Sequence, residues 1–433
     1  MRTNIVHEGA GFLEYEIRQI VEHANRMRGM GQKITWENIG DPIAMKEEVA
    51  PWIKEIVRDI VSQNASWGYC QTRGVQETRD FLADRVNARE GGVQISPDDI
   101  IFFNGTADAI DKVYELTHRN ARILLPAPIY STHSSNESKR GGYDPLHFRL
   151  DPKNNWLPDM EEVRRIVHYN PSIAGIGFVN PDNPTGIVYP REILEEFAEI
   201  ARQYDLFLLV DEIYSHICYN GAEPFHLSQY AHDVPAISMR GISKEYPWPG
   251  ARCAWIEVMN KNKDPNFSAF IDSILASKML EVCATTLPQI SIPRVFGSPK
   301  YPEHLKTRAA IFEKRANQAY DIFSKVPGLI CHRPQGAFYM SVVFEDGVFH
   351  PGQKLQAANP QLREYVDALC QNVPGDKQFV YNLLASKGIC IVPLTGFATD
   401  LCGFRVTMLN TDDTVRNTLF QEIADSVTEF LNS

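Results

Sequence analysis

Three apolar runs, at 174–179, 206–210 and 234–239, recur with amphipathic stretches between them, and each ends on a knot of polar or turn-forming residues. This alternation constrains the fold more than any other feature. Runs of this length that lack apolar–polar alternation are buried on both faces. With helical stretches between them, such as 190–204, they read as βαβ units of an open parallel sheet covered by helices. Ligands bind such sheets beyond the carboxyl ends of the strands. Chemistry is therefore to be sought in the residues just after each run.

After Leu206-Phe-Leu-Leu-Val210 comes Asp211-Glu-Ile-Tyr214. A carboxylate directly beyond a fully buried strand costs free energy unless a cation meets it, which singles out Asp211. After the run ending at Met239 comes Ser243-Lys244, then Tyr-Pro-Trp-Pro-Gly, too rich in proline and glycine for helix or sheet. Lys244 thus sits on a loop at a strand end, either as one more solvated lysine or, if desolvated there, as a neutral amine nucleophilic toward an aldehyde. Arg252, eight residues on, offers a planar fork for a phosphate. After 174–179, two Asn-Pro dipeptides in Asn180-Pro-Asp-Asn-Pro-Thr-Gly186 force an irregular turn that fixes the Asn183 amide.

Earlier in the chain, the segment 34–42 reads as a short strand ending at Gly40, either an ordinary turn or a place where backbone approaches a ligand closely. Helices are expected at 12–30, 46–63 and 75–90, with Tyr69 and Gly74 in the loop between the last two. A strand near 98–103 runs into Asn104-Gly-Thr-Ala and then a helix, so Gly105, Thr106 and Ala107 form either a phosphate cradle or a plain cap. Tyr130 ends Pro126-Ala-Pro-Ile-Tyr130 at another strand's carboxyl end, where an aromatic can stack on a flat ligand or pack into the core.

Beyond a helix at 264–282 the character changes: a charged helix at 302–325, a strand at 336–344, a loose stretch at 346–361, then strands at 389–393 and 403–409. Residues 41–300 are read as a large α/β domain, and 1–40 with 301–433 as a smaller α+β domain. Arg405, inside the last strand, either pairs with a structural carboxylate or receives a ligand's. At 433 residues and 44% hydrophobic the chain supports a real core, and a net charge of −11 argues against nucleic acid or an anionic membrane as partner. Eight dispersed cysteines give no zinc or disulfide pattern and fit a reducing cytoplasm; no export signal or membrane anchor is read.

Together, Asn183-Pro-Thr-Gly186, Asp211-Glu-Ile-Tyr214, Ser243-Lys244 with Pro249-Gly-Ala-Arg252, and Gly403-Phe-Arg405 resemble the motif set of the fold type I pyridoxal-phosphate enzymes, class I aminotransferases. The match runs in order from about Gly40 to Arg405. It implies a large domain with a mainly parallel seven-stranded sheet beside a smaller α+β domain, and pyridoxal 5′-phosphate as cofactor. By the same resemblance Lys244 would hold the cofactor aldehyde as a Schiff base and shuttle the substrate proton, and Asp211 would pair with the ring nitrogen. Tyr214 and Asn183 would bond the ring hydroxyl oxygen, and Tyr130 would stack on the ring. Gly105, Thr106 and Ala107, with Ser243 and Arg252, would hold the phosphate, and Gly40, Asn183 and Arg405 would meet the substrate. A tyrosine at the place of Tyr69 reaches the neighbouring subunit's phosphate in this family, which implies a homodimer with shared sites.

Two departures qualify the resemblance. Many relatives carry serine where this chain has Gly241, removing one hydroxyl from the phosphate site. The arginine by which some aspartate aminotransferases bind a distal carboxylate is missing from 276–288, where Glu281 falls near its place. Bacterial alanine aminotransferases of the glutamate–pyruvate type are similar at Arg240-Gly-Ile-Ser-Lys244, Pro126-Ala-Pro-Ile-Tyr130, Trp156-Leu-Pro-Asp159 and Phe404-Arg-Val-Thr407. The leading expectation is transamination between a small neutral amino acid and a 2-oxo acid such as 2-oxoglutarate. Aspartate or aromatic transamination, β-elimination on the same cofactor, and a non-catalytic cofactor-binding module are the rival readings.

Overall fold

The computed structural model describes residues 6, 8–13, 16–357 and 359–433. Its strands, in chain order, are β1 (Thr35–Trp36), β2 (Ile100–Phe103), β3 (Arg122–Ala127), β4 (His147–Asp151), β5 (Leu157–Pro158), β6 (Ile173–Val179) and β7 (Phe207–Asp211). They continue with β8 (Ala236–Gly241), β9 (Ala254–Met259), β10 (Leu329–Cys331), β11 (Tyr339–Phe344), β12 (Ile389–Cys390), β13 (Val392–Pro393) and β14 (Gly403–Thr407).

The large sheet has the order β2-β9-β8-β7-β6-β3-β4-β5. Its centre, β8 through β4, is parallel, and β9 runs antiparallel to both β2 and β8. The expected seven-stranded sheet thus carries an eighth, two-residue strand, β5, antiparallel to β4 at the edge. Pairing of Leu150 with Pro158 and Asp151 with Leu157 closes this hairpin. No described helix is long and apolar enough to cross a membrane.

Alternate residues of each central strand enter two separate cores. On β7, Leu209 joins one with helices Thr106–Leu116 and Pro265–Leu280, while Leu208 and Val210 join the other with Met160–Tyr169 and Arg191–Gln203. Each fully buried side chain contributes about 1.5–3 kcal/mol. Covering both faces leaves the strand ends as the place where polar side chains reach solvent.

A four-stranded antiparallel sheet, β10-β11-β14-β13, and a parallel pair, β1 with β12, make up the rest. The expected single strand at 389–393 is split: β12 pairs with β1, and β13 pairs with β14. The expected strand from 336 begins at Tyr339, because the amides of Gln335 and Gly336 turn aside to the Gly186 carbonyl. The helix expected at 12–30 is Glu16–Gly29, and residues 14 and 15 of that span lie outside the described ones. That expected at 46–63 is Pro51–Val61, its start set by a proline whose missing N–H costs nothing in the first turn.

Candidate active site

Beyond the carboxyl ends of β3, β6, β7 and β8 lies a cavity of about 590 Å³. Gly40, Thr106, Ala107, Tyr130, Asn183, Asp211, Tyr214, Ser243, Lys244, Arg252 and Arg405 all line it. Segments more than 350 residues apart in sequence, from Gly40 to Arg405, meet here. Two expected site residues do not line it. Gly105 stands behind the cavity wall, and Tyr69 is 86% exposed on the surface of this chain.

Lys244 follows β8 by three residues and donates from Nζ to the Gly40 carbonyl at 2.7 Å. Burial pushes its pKa down to about 8, helped by the Arg405 and Arg252 charges and opposed by Asp41 and Asp211. The amine is therefore partly neutral at mildly alkaline pH. A Cβ at Gly40 would run into the Tyr339 hydroxyl, so any larger residue there requires that buried ring to shift.

Asp211 is the last residue of β7, buried, with Oδ1 accepting from the Ile213 amide at 3.1 Å. Its Oδ2 lies 3.5 Å from Nε2 of His133, a buried imidazole whose Nδ1 is 3.3 Å from the Tyr114 hydroxyl. Tyr214 is buried, and its hydroxyl lies 3.2 Å from that of Tyr339. Burial holds the Tyr214 phenol well above its ordinary pKa, so it remains a proton donor.

Thr106 and Ala107, the first residues of the helix Thr106–Leu116, line the cavity together with Ser243 and Arg252. Gly105 makes this possible: its φ of 95° is left-handed, and a Cβ there would collide with the Arg252 guanidinium. Hydroxyls, free amides and a cation together suit a phosphate. At Gly241, where a serine hydroxyl is missing, a Cβ would sit 2.9 Å from Ile213 Cδ1 and 3.1 Å from the Cys253 carbonyl, so a side chain there requires its neighbours to shift.

Arg405 is 1% exposed. It donates from Nη1 to Asn183 Oδ1 at 3.0 Å and from Nη2 to the Asn38 carbonyl at 2.9 Å, and its guanidinium lies over Tyr339 and Phe397 at 4.5 and 5.0 Å. Among the described residues no carboxylate forms an ion pair with it, although its charge acts on the buried Glu37 carboxyl, and its Nε has no protein partner among them. Of the two readings left open for this arginine, the geometry favours receiving a ligand's anion. Glu281 lies elsewhere, paired with Lys278 and Lys112, and nothing from 276–288 lines the cavity.

His133, Tyr339, Asp41 and Arg18 also belong to the site's surroundings but were not read from the sequence. Arg18 reaches the cavity from helix Glu16–Gly29, far from every motif. His133 carried one weak signal, its place three residues beyond Tyr130 at a helix start.

Known proteins share the sequence pattern and the fold. The family model described as aminotransferase class I and II matches residues 34–421. The chain is similar over its full length to an uncharacterized aminotransferase of Methanocaldococcus jannaschii, at 48% identity over 433 residues covering 100% of both. It is 29% identical to the glutamate-pyruvate aminotransferase AlaA of Escherichia coli over 387 residues, 88% of each chain. Among solved structures, an alanine aminotransferase from Pyrococcus furiosus superposes with a TM-score of 0.83 at 25% identity, covering 100% of both chains.

Proposed function

The chain belongs to the class I and II aminotransferases, and from that premise we propose that it uses pyridoxal 5′-phosphate to exchange an amino group between a small neutral L-amino acid, alanine first, and 2-oxoglutarate. The observation that carries this reading is the convergence of Lys244, Asp211, Arg252 and Arg405 on one cavity. The residues fit the cofactor: an anion cradle at Thr106, Ala107, Ser243 and Arg252, a buried carboxylate at Asp211 for the ring nitrogen, and a lysine lining the same cavity. Asn183 and Tyr214 would hold the ring hydroxyl oxygen, and Tyr130 would lie against the ring.

When bound, the cofactor supplies an aldehyde for amines and a ring that takes up the electrons of a broken Cα–H bond. The protein's residues do the rest. Arg405 grips the substrate α-carboxylate in two parallel hydrogen bonds, which fixes the direction of the Cα–H bond. Lys244, whose pKa burial lowers to about 8, would take the Cα proton at Nζ and hold it there for return. Asp211 would pair with the ring nitrogen, and His133 Nε2 lies 3.5 Å from its Oδ2.

Substrate choice rests on two observations. The relatives named as glutamate-pyruvate and alanine aminotransferases point to an alanine-type pair. Among the lining cations, with Lys244, Arg252 and Arg405 assigned, Arg18 remains for the second carboxylate of glutamate or 2-oxoglutarate. Single-turnover spectra with a panel of amino acids and 2-oxo acids test the pair. Arg18→Gln should raise KM for glutamate and 2-oxoglutarate while leaving alanine and pyruvate nearly unchanged. Conversion of no amino acid would refute transamination, and pyruvate with ammonia formed without an acceptor would indicate a β-lyase.

The partner is a second copy of the chain, with Tyr69 reaching its neighbour's phosphate. In support, Trp67, Tyr69, Met279, Leu280 and Val282 are exposed, and a hydrogen bond of 2.8 Å from Thr286 Oγ1 to the Gly68 carbonyl joins their two segments into one patch. The division into 41–300 and 1–40 with 301–433 is supported by the β1–β12 pairing and by Glu37 Oε1, which accepts from Thr407 at 2.8 Å.

A further inference from the structure

Strand β8 ends at Gly241, so the loop that carries Lys244 has left the sheet ladder before the lysine is reached. The backbone bonds around it are Ile242 N to the Cys253 carbonyl at 3.3 Å and Trp248 N to the Ile242 carbonyl at 3.1 Å. Neither touches residues 243–247. Yet the lysine must keep a fixed relation to Asp211 and Tyr214, which stand at the end of the adjacent strand β7.

Side chains supply that relation. Glu245, buried beside the lysine, reaches the residues that directly follow Tyr214. Its Oε1 accepts from the His216 amide at 2.8 Å, lies 2.9 Å from His216 Nδ1, and accepts from Ser215 Oγ at 3.0 Å. Oε2 accepts from the Tyr301 hydroxyl at 3.4 Å. From the other side, Arg308 Nη1 donates to the Lys244 and Glu245 carbonyls at 2.6 and 3.1 Å, while its fork holds Glu47 at 2.6 and 3.1 Å. His216 and Arg240 keep the Glu245 carboxyl ionised, down at about 2 against the cost of burial.

We infer that Glu245 is a positioning residue for the proposed transamination: by clasping Ser215 and His216 it sets the gap between Lys244 and the Tyr214 phenol. The inference rests on the function proposed above, and a wild-type protein that develops the visible band of bound cofactor and loses it on conversion with L-alanine establishes that reading independently. The clasp lies outside the cavity and touches neither cofactor nor substrate. Its effect passes entirely through the backbone on which the lysine and the phenol are mounted.

The test uses full-length holoenzyme carrying Glu245→Ala, Glu245→Gln or His216→Ala, with Val163→Ala in the remote core as a control for general destabilisation. For Glu245→Ala the L-alanine half-reaction rate should fall about ten- to hundredfold with KM changed less than about twofold, as expected when a reacting group is misplaced. The pH midpoint of the visible band should move as well, a shift that loss of stability alone would not cause. Glutamine keeps an acceptor oxygen for the His216 amide and should retain the wild-type midpoint and a rate within about threefold. If Glu245→Ala does not fold, His216→Ala carries the comparison, with the same directions and smaller size. A midpoint and rate that match wild type, or that change no more than in Val163→Ala, overturn the inference.

Discussion

Replacing Arg405 by lysine isolates the geometry of carboxylate recognition from its charge. Arg405 is held in plane by two acceptors, Asn183 Oδ1 at 3.0 Å and the Asn38 carbonyl at 2.9 Å, and by the rings of Tyr339 and Phe397. Those acceptors leave Nε and further N–H groups for a ligand. Lysine keeps the positive charge but offers one point of contact in place of a fork, so about one charge-assisted hydrogen bond is lost. That loss is worth about 1.5–3 kcal/mol, or about ten- to just over a hundredfold in kcat/KM for L-alanine. Alanine at the same position removes both bonds, about 3–6 kcal/mol and about 10²–10⁴-fold. Stopped-flow half-reactions with L-alanine and with isopropylamine, which has no carboxylate, separate recognition from damage to the fold. Only L-alanine should suffer the full loss. An equal decline for both amines, or a lysine variant retaining more than about a third of wild-type kcat/KM, would refute the role given to Arg405.

Three further outcomes are expected. In cofactor-free protein, labelling of Lys244 by an amine reagent should rise with a midpoint near pH 8, the value to which burial lowers it, and a midpoint near the ordinary 10.5 would contradict that environment. Glu37 is raised from 4.5 to about 7 by burial, so its native state favours the neutral form; the stability lost on ionisation goes as pH rises from 4.5 through 7. Glu37→Gln keeps the acceptor for Thr407 and should raise unfolding free energy by about 3 kcal/mol at pH 8 but not at pH 4, and denaturant titrations showing equal effects at both would refute it. Tyr69→Ala should weaken cofactor binding about tenfold in a protein whose solution mass stays that of a dimer, whereas a monomeric mass for wild type would remove the proposed partner.

Much of this site was legible because apolar strands announce themselves and end where ligands bind. Asp211 and Lys244 could be read from their places after buried runs, and Asn183 from the prolines that constrain it. Arg405 could be located but not interpreted, since whether a strand arginine meets a carboxylate depends on which segments fold over it. Here those are Asn38 and Asn183, neither of them charged. His133 and Arg18 lie on helices whose own spacing reports burial rather than what the exposed ends touch. Element ends were lost for local reasons: Pro51 sets a helix start, and partners on two different sheets divide 389–393. The clasp of Glu245 was invisible as well, because its partners at 215 and 216 are brought together only by parallel pairing of β7 with β8.

The most direct test of the whole account is borohydride reduction of the protein after incubation with pyridoxal phosphate, followed by peptide mapping. A single stable adduct on the peptide containing Lys244, abolished in Lys244→Ala, is the predicted result. A protein that stays colourless, or an adduct carried by another lysine, would contradict it.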